Sequence, residues 1–191
     1  MSKEEILKII DENYSPLSLA SQEELLSSIN LRSIDKGEII VREGQYADKV
    51  YFIVKGCARA YYLKGGKDVS DWFAFENEFI SSIVSFFGKQ PSPHYIEFVE
   101  QSIVFEISRE SIENLAAKNH DVERLIRVVV TKVMLSQQER ISSILFQTSE
   151  QRYNHFISSY PDITNRIPLT HIASYLGMTL ETLSRVRKPK K

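Results

Sequence analysis

The chain has 191 residues, 42% of them hydrophobic, enough to bury a substantial core and to form one moderate domain with a small appendage. A formal charge of −1 argues against a histone-like coat on nucleic acid, and the single cysteine, Cys57, rules out an internal disulfide or a cysteine-built metal cluster within these residues. The first ten residues are charged and helical in pattern rather than a secretory leader, and no apolar run approaches the roughly 18 residues of a membrane span, so a cytoplasmic location without a membrane partner is expected.

Residues 1 to about 30 predict short amphipathic helices, with Ser21 and Glu24 spaced as a capping box ahead of Leu25, Leu26 and Ile29. From about 31 to 107 the pattern changes to short runs rich in Val, Ile, Tyr and Phe at 31–34, 38–41, 50–55, 57–63, 69–75, 95–99 and 103–107. Asp35-Lys36-Gly37, Glu43-Gly44, Lys55-Gly56 and Gly65-Gly66 separate them as turns, which predicts an all-β roll or barrel with Cys57 as a small apolar strand residue.

Beyond residue 108 the helical period returns, first in a short helix near 109–117 and then in a long one from about 121 to 147. Its apolar positions include Val122, Leu125, Ile126, Val129, Val130, Val133, Ile141, Ile144 and Leu145, a stripe too long for one small roll to cover. A partner helix from a second subunit is expected to cover the rest, giving a coiled-coil-like homodimer. The alternative is a helix packed wholly on its own domain, because Lys132, Ser136 and Gln137 interrupt a clean heptad. Thr148 and Gln151 then form a second capping box, where a new helix begins and the chain can bend.

The stretch from Ile167 to Lys188 reads as two short helices around a glycine turn. Ile172, Ala173 and Leu176 share one face, Gly177 permits the tight turn, and Thr179 can cap the second helix, with Glu181 at the positive end of its dipole. Pro168 is tolerated near the start of the first. Leu183 and Val186 should face inward, while Glu181, Arg185 and Lys188 form a row on another face, where Arg can contact guanine and Glu can accept from cytosine. Thr179, Thr182 and Ser184 are short donors suited to phosphates. The alternative is a helical hairpin with a merely solvated polar face. From Thr148 onward seven Lys and Arg oppose three acids, whereas the preceding residues carry an excess of five negative charges, as expected when one module meets a polyanion.

A glycine-punctuated roll, a long helix and a helix-turn-helix, in that order, resemble the cyclic-AMP receptor and fumarate-nitrate regulator (Crp/Fnr) family of bacterial transcription factors. The likeness covers nearly the whole chain and is most specific at Lys36-Gly37-Glu38, Glu43-Gly44, the run from Tyr51 to Gly56, and Ile172-Ala173 through Arg185. It implies an α+β protein with a cyclic-nucleotide-binding-like roll of jelly-roll type over 1–118, a dimerisation helix over 119–147 and a DNA-binding helix-turn-helix domain over 148–191. In the family's Arg-Glu-Thr-x-x-Arg pattern Glu181, Thr182 and Arg185 match, but Leu180 replaces the first arginine, so the half-site should differ from the usual TGTGA-like sequence. The wing that often follows the recognition helix does not occur in the 191 residues, and phosphate contacts are expected to rely more on the basic stretch 187–191.

The same resemblance places an effector pocket at Glu78, Ser92, His94, Gln137 and Gln138. Glu78 matches the ribose acceptor, but Asn77 stands at the family's glycine and Ser92, followed by Pro93, at its phosphate-pairing arginine. Without that bidentate cation cyclic AMP is not an expected effector, Lys89 and His94 being the substitute cations within reach of the segment. No metal, cofactor or catalytic residue is expected. An iron–sulfur cluster would need more than Cys57, and the isolated His94, His120, His155 and His171 read as surface or core residues. The expected partners are double-stranded DNA with a palindromic site, a second copy of the chain and RNA polymerase. A ligand-binding or protein-interaction module with a degenerate, non-DNA-binding tail is the competing reading, and an enzyme the third, without a nucleophile–base pair to support it.

Overall fold

A computed structural model describes residues 3–188. Two helices, α1 (Lys3–Asn13) and α2 (Leu19–Ser28), precede strands β1 (Asn30–Ile34), β2 (Ile39–Val41), β3 (Lys49–Lys55), β4 (Ala58–Lys64), β5 (Lys67–Ala74) and β6 (Phe79–Ile80). Helix α3 (Ile83–Gly88) separates these from β7 (Tyr95–Phe98) and β8 (Ser102–Ser108), and α4 (Arg109–Lys118) leads into the long α5 (His120–Phe146). The chain then continues through α6 (Ser149–Ser159), α7 (Ile163–Arg166), α8 (Leu169–Tyr175) and α9 (Leu180–Val186).

The strands form two antiparallel four-stranded sheets, in the orders β1-β8-β3-β6 and β2-β7-β4-β5, so the fold is α+β with a jelly-roll-like β-roll. In β3 the alternation of a strand explains its unbroken apolar run. Tyr51 and Ile53 enter the core between the sheets with Ala58, Ala60, Ile96, Phe98 and Val104, while Phe52 and Val54 pack beneath the helices with Ile6, Ile10, Leu25, Leu115 and Val122. A third core joins Cys57, Phe73, Phe75 and Val99 of the roll to Phe156, Ile163, Ile172, Ala173, Leu176 and Leu183 of the carboxy-terminal helices. Cys57 lies between β3 and β4 rather than within a strand, and burial pushes its thiol up.

The capping box read at Ser21 and Glu24 is not formed. Ser18 caps α2 by accepting from the Ser21 backbone N–H, while the Ser21 hydroxyl donates to Asp121 Oδ1 at 2.6 Å, and Glu24 accepts from the Asn119 side chain. A hydroxyl offered a carboxylate on α5 has a stronger partner than the cap of its own helix. That contact, with the Ser18 N–H at 2.7 Å, brings the Asp121 carboxyl down to about 2, against the opposing effect of burial. The second box does form: Thr148 accepts from the Gln151 N–H, and Gln151 reaches back to the Thr148 N–H.

Candidate nucleic-acid interface and effector pocket

Helices α8 and α9 meet as their sequence implies. Gly177 adopts φ +63°, and two bonds that close a left-handed helix end, Gly177 N–H to Ser174 O and Met178 N–H to Ala173 O, stop α8 there. Ile172, Ala173, Leu176 and Leu183 are buried, and Val186 is half-buried. Thr179 caps α9 by accepting from the Thr182 N–H at 3.2 Å, and the two hydroxyls bond each other. Glu181, Ser184, Arg185 and Lys188 are exposed, with Arg187 beside them and Leu180 39% accessible. Arg185 makes only a long contact to the Glu181 carbonyl, at 3.4 Å, so its guanidinium end stays available. Pro189, Lys190 and Lys191 lie outside the described residues, so only Arg187 and Lys188 of the basic stretch are placed.

Not all the positive charge of the carboxy-terminal region faces outward. Arg152 donates to the carbonyls of Leu176 and Gln147, each at 2.7 Å, where a cation suits exposed helix carbonyls. Arg166 reaches the roll, bonding Glu76 at 2.7 Å, Glu100 at 2.5 Å and the Gly56 carbonyl at 3.1 Å. Burial alone would raise the Glu76 carboxyl, but hydrogen bonds from Arg166 and from the Gly56 N–H leave it below its usual range. Two of the seven cations thus hold the helices to one another and to the roll.

Further polar contacts fix the same junction. Arg59, 3% exposed, binds Glu97 and Asp68 and donates to His171 Nδ1 at 2.8 Å, which requires a neutral imidazole; burial and the Arg59 charge both lower the His171 pKa. Arg140 on α5 lies over the Tyr175 ring and donates to the carbonyls of Tyr175 and Ser70. Arg59, Arg140 and Arg166 carry no local motif, and their partners lie between 9 and 112 residues away in sequence.

The expected effector residues separate into groups. Ser92 and His94 sit inside the roll: the Ser92 hydroxyl bonds Ser82 Oγ at 2.8 Å and the His94 carbonyl at 2.7 Å, and Ser85 accepts from the Ala47 N–H. His94 stacks edge-on against Tyr62, and burial lowers its pKa, so it carries no charge at neutral pH. Lys89 turns outward to Glu113. Arg109 approaches the segment, but its guanidinium is bound to the carbonyls of Ser85 and Phe86, so none of the three offers a free cation to a cyclic phosphate.

Glu78 instead lines a cavity of about 450 Å³ at the junction of the roll, α1, α5 and α8, together with Gln137. Gln138 is exposed. Asn77 at the cavity wall has φ +68°, a conformation asparagine tolerates and the family's glycine would adopt freely.

Comparison with known proteins matches residues 31–119 to the cyclic nucleotide-binding domain. The chain is 24% identical over 167 residues to the transcriptional activator protein Anr of Pseudomonas protegens, covering 81% of this chain and 68% of that one. It is likewise 24% identical over 186 residues to the anaerobic regulatory protein of Haemophilus influenzae, covering 90% and 72%. Its fold is shared with FixK2 from Bradyrhizobium japonicum, with a TM-score of 0.73 and 22% identity over 83% of this chain and 82% of that one. The chain is thus similar in sequence to bacterial transcriptional regulators and shares its fold with proteins that include a regulator of the Crp/Fnr family. A second structure, the c-di-GMP-responsive regulator CLP of Xanthomonas campestris, shares the fold at a TM-score of 0.67 and 16% identity, over 88% and 89% of the two chains. Among the described residues no helix is long and apolar enough to cross a membrane.

Proposed function

We propose that this chain is a Crp/Fnr-type regulator that acts as a homodimer and reads a palindromic DNA site through α9, with an effector other than cyclic AMP. The observation that carries this reading is the exposed row of Glu181, Arg185 and Lys188 on a recognition-type helix anchored by buried Leu183. Ser184 adds an exposed hydroxyl beside the row, while Thr179 and Thr182 serve first as the cap that aims it.

Dimerisation rests on the outward face of α5. Val130, Met134, Gln137, Ile141 and Ile144 recur at alternating spacings of four and three, the period of a coiled-coil seam, and the four apolar ones are 37–60% exposed. Lys132 and Ser136 fall off this seam, and Gln137 supplies the single polar position that sets register. Two copies joined along α5 would present two α9 helices to successive major grooves, about one helical turn apart. The proposed division is the one expected from sequence, a sensing roll over 1–118, a dimer helix over 119–147 and a reading module over 148–191. RNA polymerase is the further partner of such a regulator, the cytoplasm its place, and no catalytic step is assigned to it.

Leu180, 39% exposed at the start of α9, favours the second reading, in which the tail contacts protein rather than DNA. Substituting Arg185 separates the two. In fluorescence anisotropy against a duplex bound by the wild type, Arg185→Ala should weaken binding by about tenfold to a hundredfold, the value of a lost bidentate guanine contact. Unchanged, salt-independent binding would favour the protein-interaction reading.

A further inference from the structure

We propose that the effector site is the cavity at the junction of the roll, α1, α5 and α8, and that it takes a small amine carried on a flat apolar body. This deepens the regulatory reading above, on which its physiological meaning rests. Inside the roll, Ser82, Ser85 and Ser92 are almost wholly buried and bond one another or the nearby backbone, and the Arg109 guanidinium beside them is bound to the carbonyls of Ser85 and Phe86. The junction cavity, at about 450 Å³, falls within the range of small-molecule sites. Its walls carry the rings of Tyr14, Trp72, Phe73, Phe79, Tyr160 and Tyr175.

The polar groups of the cavity define what those rings would enclose. Asn77 Oδ1 is a buried acceptor with no hydrogen-bond partner among the described residues. Next to it in sequence, the Glu78 carboxyl receives the Phe75 N–H at 2.9 Å and the Tyr160 hydroxyl at 3.4 Å, and among the described residues no cation pairs with it. The other charges of the wall are engaged: Glu76 with Arg166, and Lys132 with the Asn13 carbonyl and, at 4.5 Å, the face of Tyr14. What remains unmet is a demand for N–H donors, best supplied by a positive group, between aromatic faces that favour a cation or a flat ring. A cyclic phosphate would instead confront a carboxylate.

Location gives such a ligand leverage. The loop from Phe75 to Glu78 connects β5 to β6, its Glu76 grips Arg166 of α7, and its Glu78 meets Tyr160 just after α6. An occupant touching the roll, α5 and Tyr160 together binds the docked arrangement of the reading module better than an undocked one, and shifts the balance toward it in proportion to that difference.

Trp72 is the one tryptophan of the chain and lines the cavity, so its fluorescence reports occupancy without a label and without DNA. The probes are phenethylamine and phenylacetate, which share a body and carry opposite charges, each titrated into the full-length protein. The amine should give a saturable change, and Glu78→Gln should weaken it by about tenfold or more, the value of a charged hydrogen bond. Asn77→Gly, which keeps a residue suited to positive φ but removes Oδ1, should weaken it several-fold while leaving the fold intact. A phenylacetate response equal to that of the amine, no saturable amine response, or an amine titration unmoved by both substitutions would overturn the proposal. Because no DNA is present, a failure of the DNA-binding reading would appear separately, in anisotropy with the same preparations.

Discussion

Gly56→Ala should destabilise the protein by about 3 kcal/mol or more, an effect larger than most single methyl additions produce. Gly56 turns the chain between β3 and β4 at φ +109°, where an alanine is already strained. A Cβ there would lie 2.0 Å from Ser102 Oγ, 2.6 Å from Ser102 Cβ and 2.8 Å from Ser102 Cα. The hydroxyl could rotate away, but the backbone at the start of β8 cannot, so the two strands would have to separate. Gly56 also gives its N–H to Glu76 and its carbonyl to Arg166, and a shift would loosen the hold on the carboxy-terminal helices. Gly65→Ala is the control, since Gly65 also has positive φ, +58°, but a Cβ there meets nothing within 4 Å. It should cost only about 1 kcal/mol. Urea denaturation of the three proteins measures the difference, and equal midpoints for the two variants would show that the Ser102 contact does not constrain the turn.

Arg166→Ala should cost about 2 kcal/mol and, more tellingly, should free the carboxy-terminal helices from the roll while the roll stays folded. The substitution leaves Glu76 and Glu100 facing each other without their shared cation and orphans the Gly56 carbonyl. Hydrogen exchange should rise across α7, α8 and α9 and remain slow in β3, β4 and β8. Exchange that rises equally in both parts, or in neither, would contradict the latch. The pH dependence has a definite sign. The Glu76 carboxyl is depressed in the folded protein, so its contribution is fully present above its unfolded value near 4.5 and is lost as pH falls through the lower folded value. The Arg166–Glu76 contribution to docking should therefore be steady from neutrality down to about pH 5 and fade only below that, whereas the neutral His171 held against Arg59 weakens docking already as pH falls below its free value of 6.5. In Arg166→Ala the Glu76 step should largely disappear.

The elements that were legible in the sequence owe it to strong periodicity or strong punctuation. The β-branched and aromatic run from Tyr51 to Val54, the glycine turns, the α5 stripe, the Thr148 box and the Gly177 turn each carry a local physical signal, and each is realised. Strand β6 and helix α3 were not legible, because two and six residues are too few to establish a period. The Ser21 box misled because a cap motif is judged within its own helix, whereas Asp121 arrives from 100 residues away. The same limit applied at the site. Arg152 and Arg166 read as charge available to a polyanion, and only the tertiary structure shows them spent on helix carbonyls and on Glu76 and Glu100. The junction cavity was invisible for a related reason, since Tyr14, Glu78, Gln137 and Tyr160 are gathered from four separate segments.

The central claim is that two copies of α9 read DNA as a symmetric pair. Selection of duplexes from a random library by the full-length protein, repeated with Arg185→Ala, tests it most directly. Enrichment of a two-fold symmetric sequence with half-sites about one helical turn apart, abolished by the substitution, is the result the account predicts. Enrichment of an unpaired half-site, or a palindrome that survives loss of Arg185, would contradict it.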